Sequence, residues 1–118
     1  MSLIVHQVAL EMIAAIHPLI TRVARHDRAL AQQMRRSASS VALNIGEAAH
    51  SRGGNETSRF QDAAGSASET RAALQVATAW GYLSRSACEP VDTQLDRIIG
   101  MLWGLTRRQS RKAAPAGQ

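Results

Sequence analysis

The sequence predicts an all-α protein, a single domain folded as an antiparallel, up-down-up-down four-helix bundle. Three observations lead to this prediction. The chain has 118 residues, a length that suits one compact domain. Aromatic residues make up only 3% of it and alanine and leucine are abundant, which is unlike the composition of sheet proteins. Apolar residues recur every three or four positions along nearly the whole chain, which is the period of a helix.

Helix one is predicted over residues 3–24. Two apolar seams run side by side along it: Val5, Val8, Met12, Ala15 and Leu19, and Ala9, Ile13, Ile16, Ile20 and Val23. Pro18 has no amide hydrogen, so we expect the helix to be kinked there or to end early. Glu11, His17 and Pro18 interrupt the apolar run and no basic flank precedes it. We therefore expect a helix of a soluble protein, without a secretory signal or a membrane segment.

Helix two is predicted over residues 27–50, with Asp27 as the N-cap that accepts the free amides of the first turn. One face carries an apolar seam of Leu30, Met34, Ala38, Val41, Ile45 and Ala48. Gly53 and Gly54 follow, and they favour a loop after the last turn.

Helix three is predicted over residues 56–82, with Asn55 or Thr57 as its cap. The inward positions are Phe60, Ala63, Ala67, Thr70, Leu74, Ala77 and Gly81. The first half of the helix consists almost entirely of small residues, so a neighbouring helix can approach closely there. Gly81 is a candidate for the C-terminal end, with Tyr82 and Leu83 able to continue the last turn.

Helix four is predicted over residues 87–108. Ser86 and Glu89 have the spacing of a capping box, and Pro90 is tolerated in a first turn. The apolar seam consists of Val91, Leu95, Ile98, Leu102 and Leu105. Residues 109–118 have no such seam, and we expect a flexible tail there.

The net charge of +5 is concentrated in two segments, residues 21–36 and the residues from 104 onward, around a slightly acidic middle. Antiparallel helices place these segments at opposite ends of the bundle. Nearly all the cations are arginines, whose planar forks suit phosphate or carboxylate, although a solvated surface is an equally good interpretation. The candidate nucleic-acid contacts are Arg22, Arg25, Arg28, Arg35, Arg36, Arg52, Arg59, Arg107 and Arg108. We expect phosphate contacts without base recognition, because exposed aromatic residues for stacking are scarce.

The sequence contains none of the common catalytic or nucleotide-binding motifs, and its four histidines lack metal-ligand spacing. Asp92 and Asp96 lie four residues apart on one face and are interpreted as solvated surface. Cys88 is the only cysteine, which excludes an internal disulfide and fits a reducing compartment. We therefore expect a cytoplasmic protein that is not an enzyme and holds no metal or cofactor. A hydrolase would require His17, His26 or Cys88 to meet acidic residues in the fold.

Some apolar residues remain after the bundle is closed, which predicts association between subunits. The candidate interface residues are Ile13, Ile20, Ile99 and Trp103. In the alternative interpretation these residues belong to the wide faces of well-buried helices, and Trp103 covers the end of the core.

A longer motif resembles a known family. The run QMRRSASSVALNIGEA at residues 33–48 resembles the signature Q-L-R-R-A-x-x-S-I-x-x-N-I-A-E-G of the 23S rRNA intervening-sequence proteins, the S23 four-helix-bundle family. Residues 60–69 and 80–83 resemble its F-L-x-x-A-x-G-S-x-x-E and L-G-Y-L blocks. The chain departs from the signature at Gly46 and Ala48, where the family prefers Ala and Gly, so helix two can extend toward His50.

The resemblance implies an antiparallel bundle that assembles into a ring, typically a homopentamer. The family includes proteins encoded within insertions of rRNA genes and the accessory proteins of diversity-generating retroelements, which bind a reverse transcriptase and nucleic acid. We therefore expect a non-enzymatic, oligomeric protein that binds or scaffolds nucleic acid, RNA foremost, without strong sequence preference. The alternative is a protein-interaction scaffold for an acidic partner, such as a reverse transcriptase.

The motif residues Asn44, Glu47, Ser66 and Glu69 are interpreted as structural. Asn44 lies near the apolar edge of helix two, so its amide needs partners, and we expect a hydrogen bond to Ser66 or Glu69 of helix three. We expect one of Arg35 and Arg36 to pair with Glu69 or Asp62 while the other faces solvent.

Overall fold

The computed structural model describes the backbone of residues 2–113 and the side chains of residues 4–108. It contains four helices, α1 (Ser2–Ala24), α2 (Arg28–Ala48), α3 (Gly54–Ala79) and α4 (Arg85–Ala113), and no strand within that part of the chain. The predicted all-α class is confirmed.

The four helices surround a common core, because each contacts the next along the chain and α4 also contacts α1. A three-residue loop, 25–27, joins α1 to α2, and five-residue loops, 49–53 and 80–84, join the other pairs. A loop of five residues spans at most about 17 Å, whereas helices of 21 to 29 residues are about 30–45 Å long at 1.5 Å per residue. Consecutive helices in contact must therefore run antiparallel, which gives the up-down-up-down order.

The core is built from the predicted seams. On α2 every predicted position is buried, and on α4 the seam is buried from Val91 to Leu102, with Leu105 packed at its margin. On α3 the seam is buried from Phe60 to Ala77, but Gly81 is exposed, because the helix has already ended there.

The two apolar seams of α1 are explained by its two neighbours. This helix packs against both α2 and α4, so a wide face is buried. Ile20, predicted as an interface residue, is only 5% exposed and belongs to the core, which corrects that prediction. The helix continues past Pro18 to Ala24, so the alternative of an early end is wrong. Pro18 is exposed, while Ile16 and Leu19 beside it are held in the core.

Residues Ile4–Ala24 are apolar and long enough to cross a membrane by length and composition alone, with a mean hydropathy of 1.4. The core helix of a soluble protein passes the same test, and α1 supplies eight buried side chains to this core.

A strip of short polar side chains joins α2 to α3. Ser40 Oγ accepts hydrogen bonds from Ser66 Oγ at 2.9 Å and from Asn44 Nδ2 at 3.0 Å. One helical turn away, the hydroxyl oxygens of Ser37 and Thr70 lie 2.8 Å apart, and both residues are buried. Because serine and threonine side chains are short, these bonds require the two helix backbones to be close.

This strip corrects the prediction for Asn44. Its amide does not reach α3 directly but donates to the carbonyl and hydroxyl of Ser40, one turn earlier on its own helix. Ser40 then carries the link to Ser66. Glu69 is exposed and takes no part in the strip. The structural interpretation of Asn44 and Ser66 agrees with these contacts.

Two helix starts differ from their predicted positions. Helix α3 begins at Gly54, and neither Asn55 nor Thr57 caps it; Gly53 precedes it with a φ of 61°, a left-handed conformation that glycine adopts readily. Helix α4 begins at Arg85, because Ser84 Oγ accepts the amide of Ala87 at 3.1 Å and acts as the N-cap in place of Ser86.

This earlier start of α4 places Pro90 in the second turn. The opposite end of the helix reaches Ala113, five residues beyond the predicted end at 108, since no glycine or proline interrupts the chain between Gly104 and Pro115. Of the predicted flexible tail, residues 114–118 lie outside the described part of the chain.

Asp92 is less solvated than the sequence predicted. Its Oδ1 atom is buried and accepts no hydrogen bond from the described residues. This burial raises the pKa of the carboxyl group, and the negative charges of Asp96 and Glu89 add to the effect, while Arg71 opposes it. Asp96, by contrast, is exposed and forms an ion pair with Arg71.

We expect Asp92→Asn to stabilise the fold at neutral pH. When folding raises the pKa of a carboxyl group, the protonated group favours the folded state at a pH below its unfolded pKa of about 3.9. This contribution to stability is lost as the pH rises through the pKa of the folded state. Thermal unfolding should therefore show a higher midpoint for the variant at pH 7 and little difference at pH 3. An equal difference at both pH values would show that the burial of the charge is not the cause.

Candidate nucleic-acid interface

Loop 25–27 and loop 80–84 meet at one end of the bundle. We call these two loops and the helix turns beside them the His26 end. The antiparallel order brings the C-terminal ends of α1 and α3 together with the N-terminal ends of α2 and α4. At the opposite end, called the Arg52 end, lie loop 49–53 and the C-terminal half of α4.

Loop 25–27 is held by its own hydrogen bonds. The amides of His26 and Asp27 both donate to the carbonyl of Val23, at 2.9 and 2.8 Å. Asp27 Oδ1 accepts the amide of Leu30 at 3.0 Å, which confirms it as the predicted N-cap of α2. The carboxylate at this position is therefore engaged by the backbone.

Loop 80–84 begins with a glycine-dependent turn. Gly81 has a φ of 82°; its amide donates to the carbonyl of Thr78 at 3.0 Å, and the amide of Tyr82 donates to that of Ala77 at 2.9 Å. This pair of bonds is the Schellman motif, which ends a helix by satisfying its last carbonyls. Gly81 thus ends α3, and the turn fixes the positions of Trp80 and Tyr82 on either side of it.

Three aromatic rings of this end lie in nearly parallel planes. The rings of His26 and Tyr82 are stacked, with centroids 5.0 Å apart and an angle of 2° between their planes. Tyr82 also stacks with Trp80, at 6.3 Å and 15°. The contact between His26 and Tyr82 joins the two loops directly.

This aromatic cluster corrects the expectation that aromatic residues available for stacking are scarce. Trp80 is 67% exposed. The sequence signal was the pair of rings flanking Gly81, but His26 lies more than fifty positions away and joins them only through the fold.

Four arginines surround these loops. Arg22 lies in the last turn of α1 and Arg25 follows its end, while Arg28 begins α2 and Arg85 begins α4, and all four are exposed. None of the four forms an ion pair with the described residues. The acidic residues nearby are Asp27, which caps α2, and Glu89 on α4.

Arg28 also belongs to a groove that extends along α2. It shares this groove with Arg35, two turns further on, and with Ile20 and Ala24 of α1. Beyond it, Arg35 and Arg36 line a second hollow beside Leu43. Both arginines are exposed, and neither pairs with Glu69 or Asp62 in the described chain, so the prediction that one of them is paired is wrong.

At the Arg52 end, unlike the His26 end, one of the predicted arginines forms an ion pair. Arg59 of α3 forms an ion pair with Glu47 of α2 at 2.9 Å, and both side chains are exposed. Arg52, Arg107 and Arg108 are exposed. The side chains of Arg111 and Lys112 lie outside the described residues.

The other predicted interface residues are divided between core margin and surface. Ile13 and Ile99 are half-buried against the core, whereas Trp103 is 48% exposed. The structure also exposes large apolar side chains that the sequence reasoning did not select: Ile4, Leu10, Leu43 and Val76.

Of the residues considered for catalysis, Cys88 lies in a pocket with one acidic residue, Asp92, and no histidine. Cys88 is buried, 3.6 Å from Thr78 Oγ1, and Arg85 also lines the pocket. His26 is stacked on Tyr82. The described residues contain no group of three histidine, cysteine or acidic side chains that could hold a metal ion.

Comparison with known proteins agrees with this fold. A crystal structure of a protein of unknown function from the S23 ribosomal protein family of Bacteroides thetaiotaomicron superposes with a TM-score of 0.80 at 22% identity, covering 86% of this chain and 97% of that one. At this identity the likeness supports the fold alone. No curated protein matches the sequence.

The family model described as 23S rRNA-intervening sequence protein matches residues 1–104, which include all three sequence blocks of the resemblance. The chain therefore belongs to the 23S rRNA-intervening sequence protein family.

Proposed function

We propose that this protein is a non-enzymatic, oligomeric nucleic-acid-binding or scaffolding protein that contacts phosphates through the arginines of its His26 end. The observation that carries the proposal is the set of four exposed arginines there, which have no ion-pair partner in the described chain. Asp27, the carboxylate between them, is engaged in capping α2.

The chemistry of arginine supports an anionic polymer as the ligand. Each guanidinium offers several donors in a plane that fits phosphate oxygens. Contacts of this kind position a nucleic acid without reading its sequence, and they release counterions, so affinity depends on salt. The groove with Arg28 and Arg35 provides a continuation along α2. The family description names 23S rRNA, which makes RNA the first ligand to test.

Cys88 is the only cysteine, and a chain without an internal disulfide fits a reducing compartment, so we propose a cytoplasmic location.

Oligomerisation is part of the proposal. Trp103 and the neighbouring Ile99 form an apolar surface on α4, and Trp103 is nearly half exposed. In a ring, such as the homopentamer that the family resemblance implies, the arginines of the His26 end would be repeated around the axis, and several subunits could contact one strand. The competing role is a scaffold for an acidic protein such as a reverse transcriptase, since the same arginines also suit carboxylates.

A salt titration tests nucleic-acid binding. We expect the affinity for a labelled single-stranded RNA to fall steeply between 50 and 200 mM salt, with a logarithmic slope of about −0.7 per phosphate neutralised. The double variant Arg25→Gln, Arg28→Gln should weaken binding and reduce the slope by about one to two, measured by fluorescence anisotropy. Arg97→Gln, an exposed arginine on α4 away from the His26 end, is the matched control and should bind as the wild type does.

An absence of RNA and DNA binding even at low salt would contradict the proposal. If an acidic protein partner were instead retained after nuclease treatment, and lost with the double variant, the scaffold role would replace it.

Light scattering tests the assembly. The solution mass should be a multiple of the 12.7 kDa chain, five-fold for a homopentamer. Trp103→Glu places a charge in the apolar surface and should reduce that mass, whereas Val76→Glu, at an exposed position on α3, is the control. A wild-type mass of one chain would exclude the ring.

A further inference from the structure

We propose that Trp80, together with Tyr82 and His26, forms a stacking platform for unpaired bases, so that the His26 end selects single-stranded nucleic acid over duplex. This inference rests on the proposed function, because the arginines supply the attraction to phosphates and the rings supply the preference for strand form.

The exposure of Trp80 is the first observation. It is the most exposed of the large apolar side chains in the described part of the chain. An indole that is 67% exposed cannot have both of its faces covered by protein. With the exposed His26 and the half-buried Tyr82 it forms a contiguous aromatic surface, and contiguous apolar surface is typical of binding sites.

The geometry of the rings is the second observation. Trp80 and Tyr82 deviate by 15° from parallel, and Tyr82 and His26 by 2°. Bases stack on aromatic side chains with their planes parallel, so a base on the open face of Trp80 would extend an existing stack. The Schellman turn at Gly81 fixes the backbone between the first two rings, and the contact with His26 fixes the third on the facing loop. The platform is therefore formed before any ligand binds, which reduces the entropic cost of binding.

The position of the arginines is the third observation. Arg85 lines a pocket with Thr78 and Ala79, the two residues immediately before Trp80. Arg25 directly precedes His26, and Arg28 lies two residues after it. Aromatic rings interspersed with cations are the combination that single-strand-binding proteins use, because every base has a face that can stack and every nucleotide has a phosphate. The bases inside a duplex already stack on one another, so only unpaired bases can reach such a surface.

Trp80→Ala is the direct test, with Leu10→Ala as its control. Leu10 is an exposed apolar residue on α1, fourteen residues before the end of that helix at Ala24, about 21 Å along the helix axis at 1.5 Å per residue. The probes are twelve-nucleotide oligouridylate, oligothymidylate of the same length and a twelve-base-pair RNA duplex, measured by anisotropy at low salt.

Trp80→Ala should weaken binding of both single strands about ten-fold or more, with the salt slope and the duplex affinity unchanged. Equal losses for the RNA and DNA strands would indicate recognition of bases, whereas a loss confined to RNA would add a contact to the ribose. Leu10→Ala should bind all three probes as the wild type does.

A second variant keeps the test independent of the folding of Trp80→Ala. In Trp103→Phe, Trp80 is the only tryptophan, and its fluorescence should be quenched when oligouridylate stacks on it. Unaltered fluorescence at saturating oligouridylate, or wild-type affinity of a folded Trp80→Ala, would overturn the platform while leaving the phosphate contacts in place. Failure of the wild type to bind any of the three probes would overturn the proposed function as well.

Discussion

Helices α2 and α3 are joined by hydrogen bonds between short serine and threonine side chains, and this contact determines how the other helices pack. Alanines line both helices, and the hydroxyls of Ser40 and Ser66 are in direct contact. Buried hydroxyl groups destabilise a core unless they are hydrogen-bonded. The buried hydroxyls of Ser37 and Thr70 bond to each other, and the part-buried Ser40 and Ser66 do the same, so the strip satisfies its hydroxyl groups and sets the relative positions of the two helices.

Once α2 and α3 are fixed, the other helices have little freedom. Helix α1 is joined to α2 by three residues, and α4 is joined to α3 by five, so each must fold back beside its neighbour. The apolar seams of α1 and α4 then pack against each other, which completes the bundle. The two loops of the His26 end are consequently forced together, and the stacking of His26 on Tyr82 is the visible result. The arginines gather at this end because the short loops leave them no other position.

Much of the fold could be predicted from the sequence, since apolar period is a local signal that packing reinforces. The seam of α2, the Asp27 cap and the helix end at Gly81 follow from residues close together in the chain. The misplaced starts of α3 and α4 have a local cause too, because several residues could cap each helix and only the path of the preceding loop selects one. Ile20 is buried because α1 packs against two neighbouring helices, and the sequence of α1 alone does not show how many helices adjoin it.

The candidate site could be predicted only in part. Its charge comes from residues that are close together in the sequence, whereas its geometry depends on residues from different helices and loops. The clusters of arginine were visible as a block of residues 21–36. That Arg59 is neutralised by Glu47 while Arg25 and Arg28 are left without an ion pair in the described chain depends on which helices adjoin. The ring cluster combines residues from two loops, and the Asn44 link passes through Ser40, so both required the assembled bundle.

We propose that the His26 end, with its arginines and aromatic rings, is the surface of the bundle that contacts nucleic acid. The most direct measurement is a titration of ¹⁵N-labelled protein with oligouridylate followed by two-dimensional NMR. We expect shift changes concentrated in residues 22–28 and 80–85 and in the indole N–H of Trp80, with the signals of Trp103 and the Arg52 end unchanged. Changes centred on loop 49–53, or spread evenly over all exposed arginines, would contradict it.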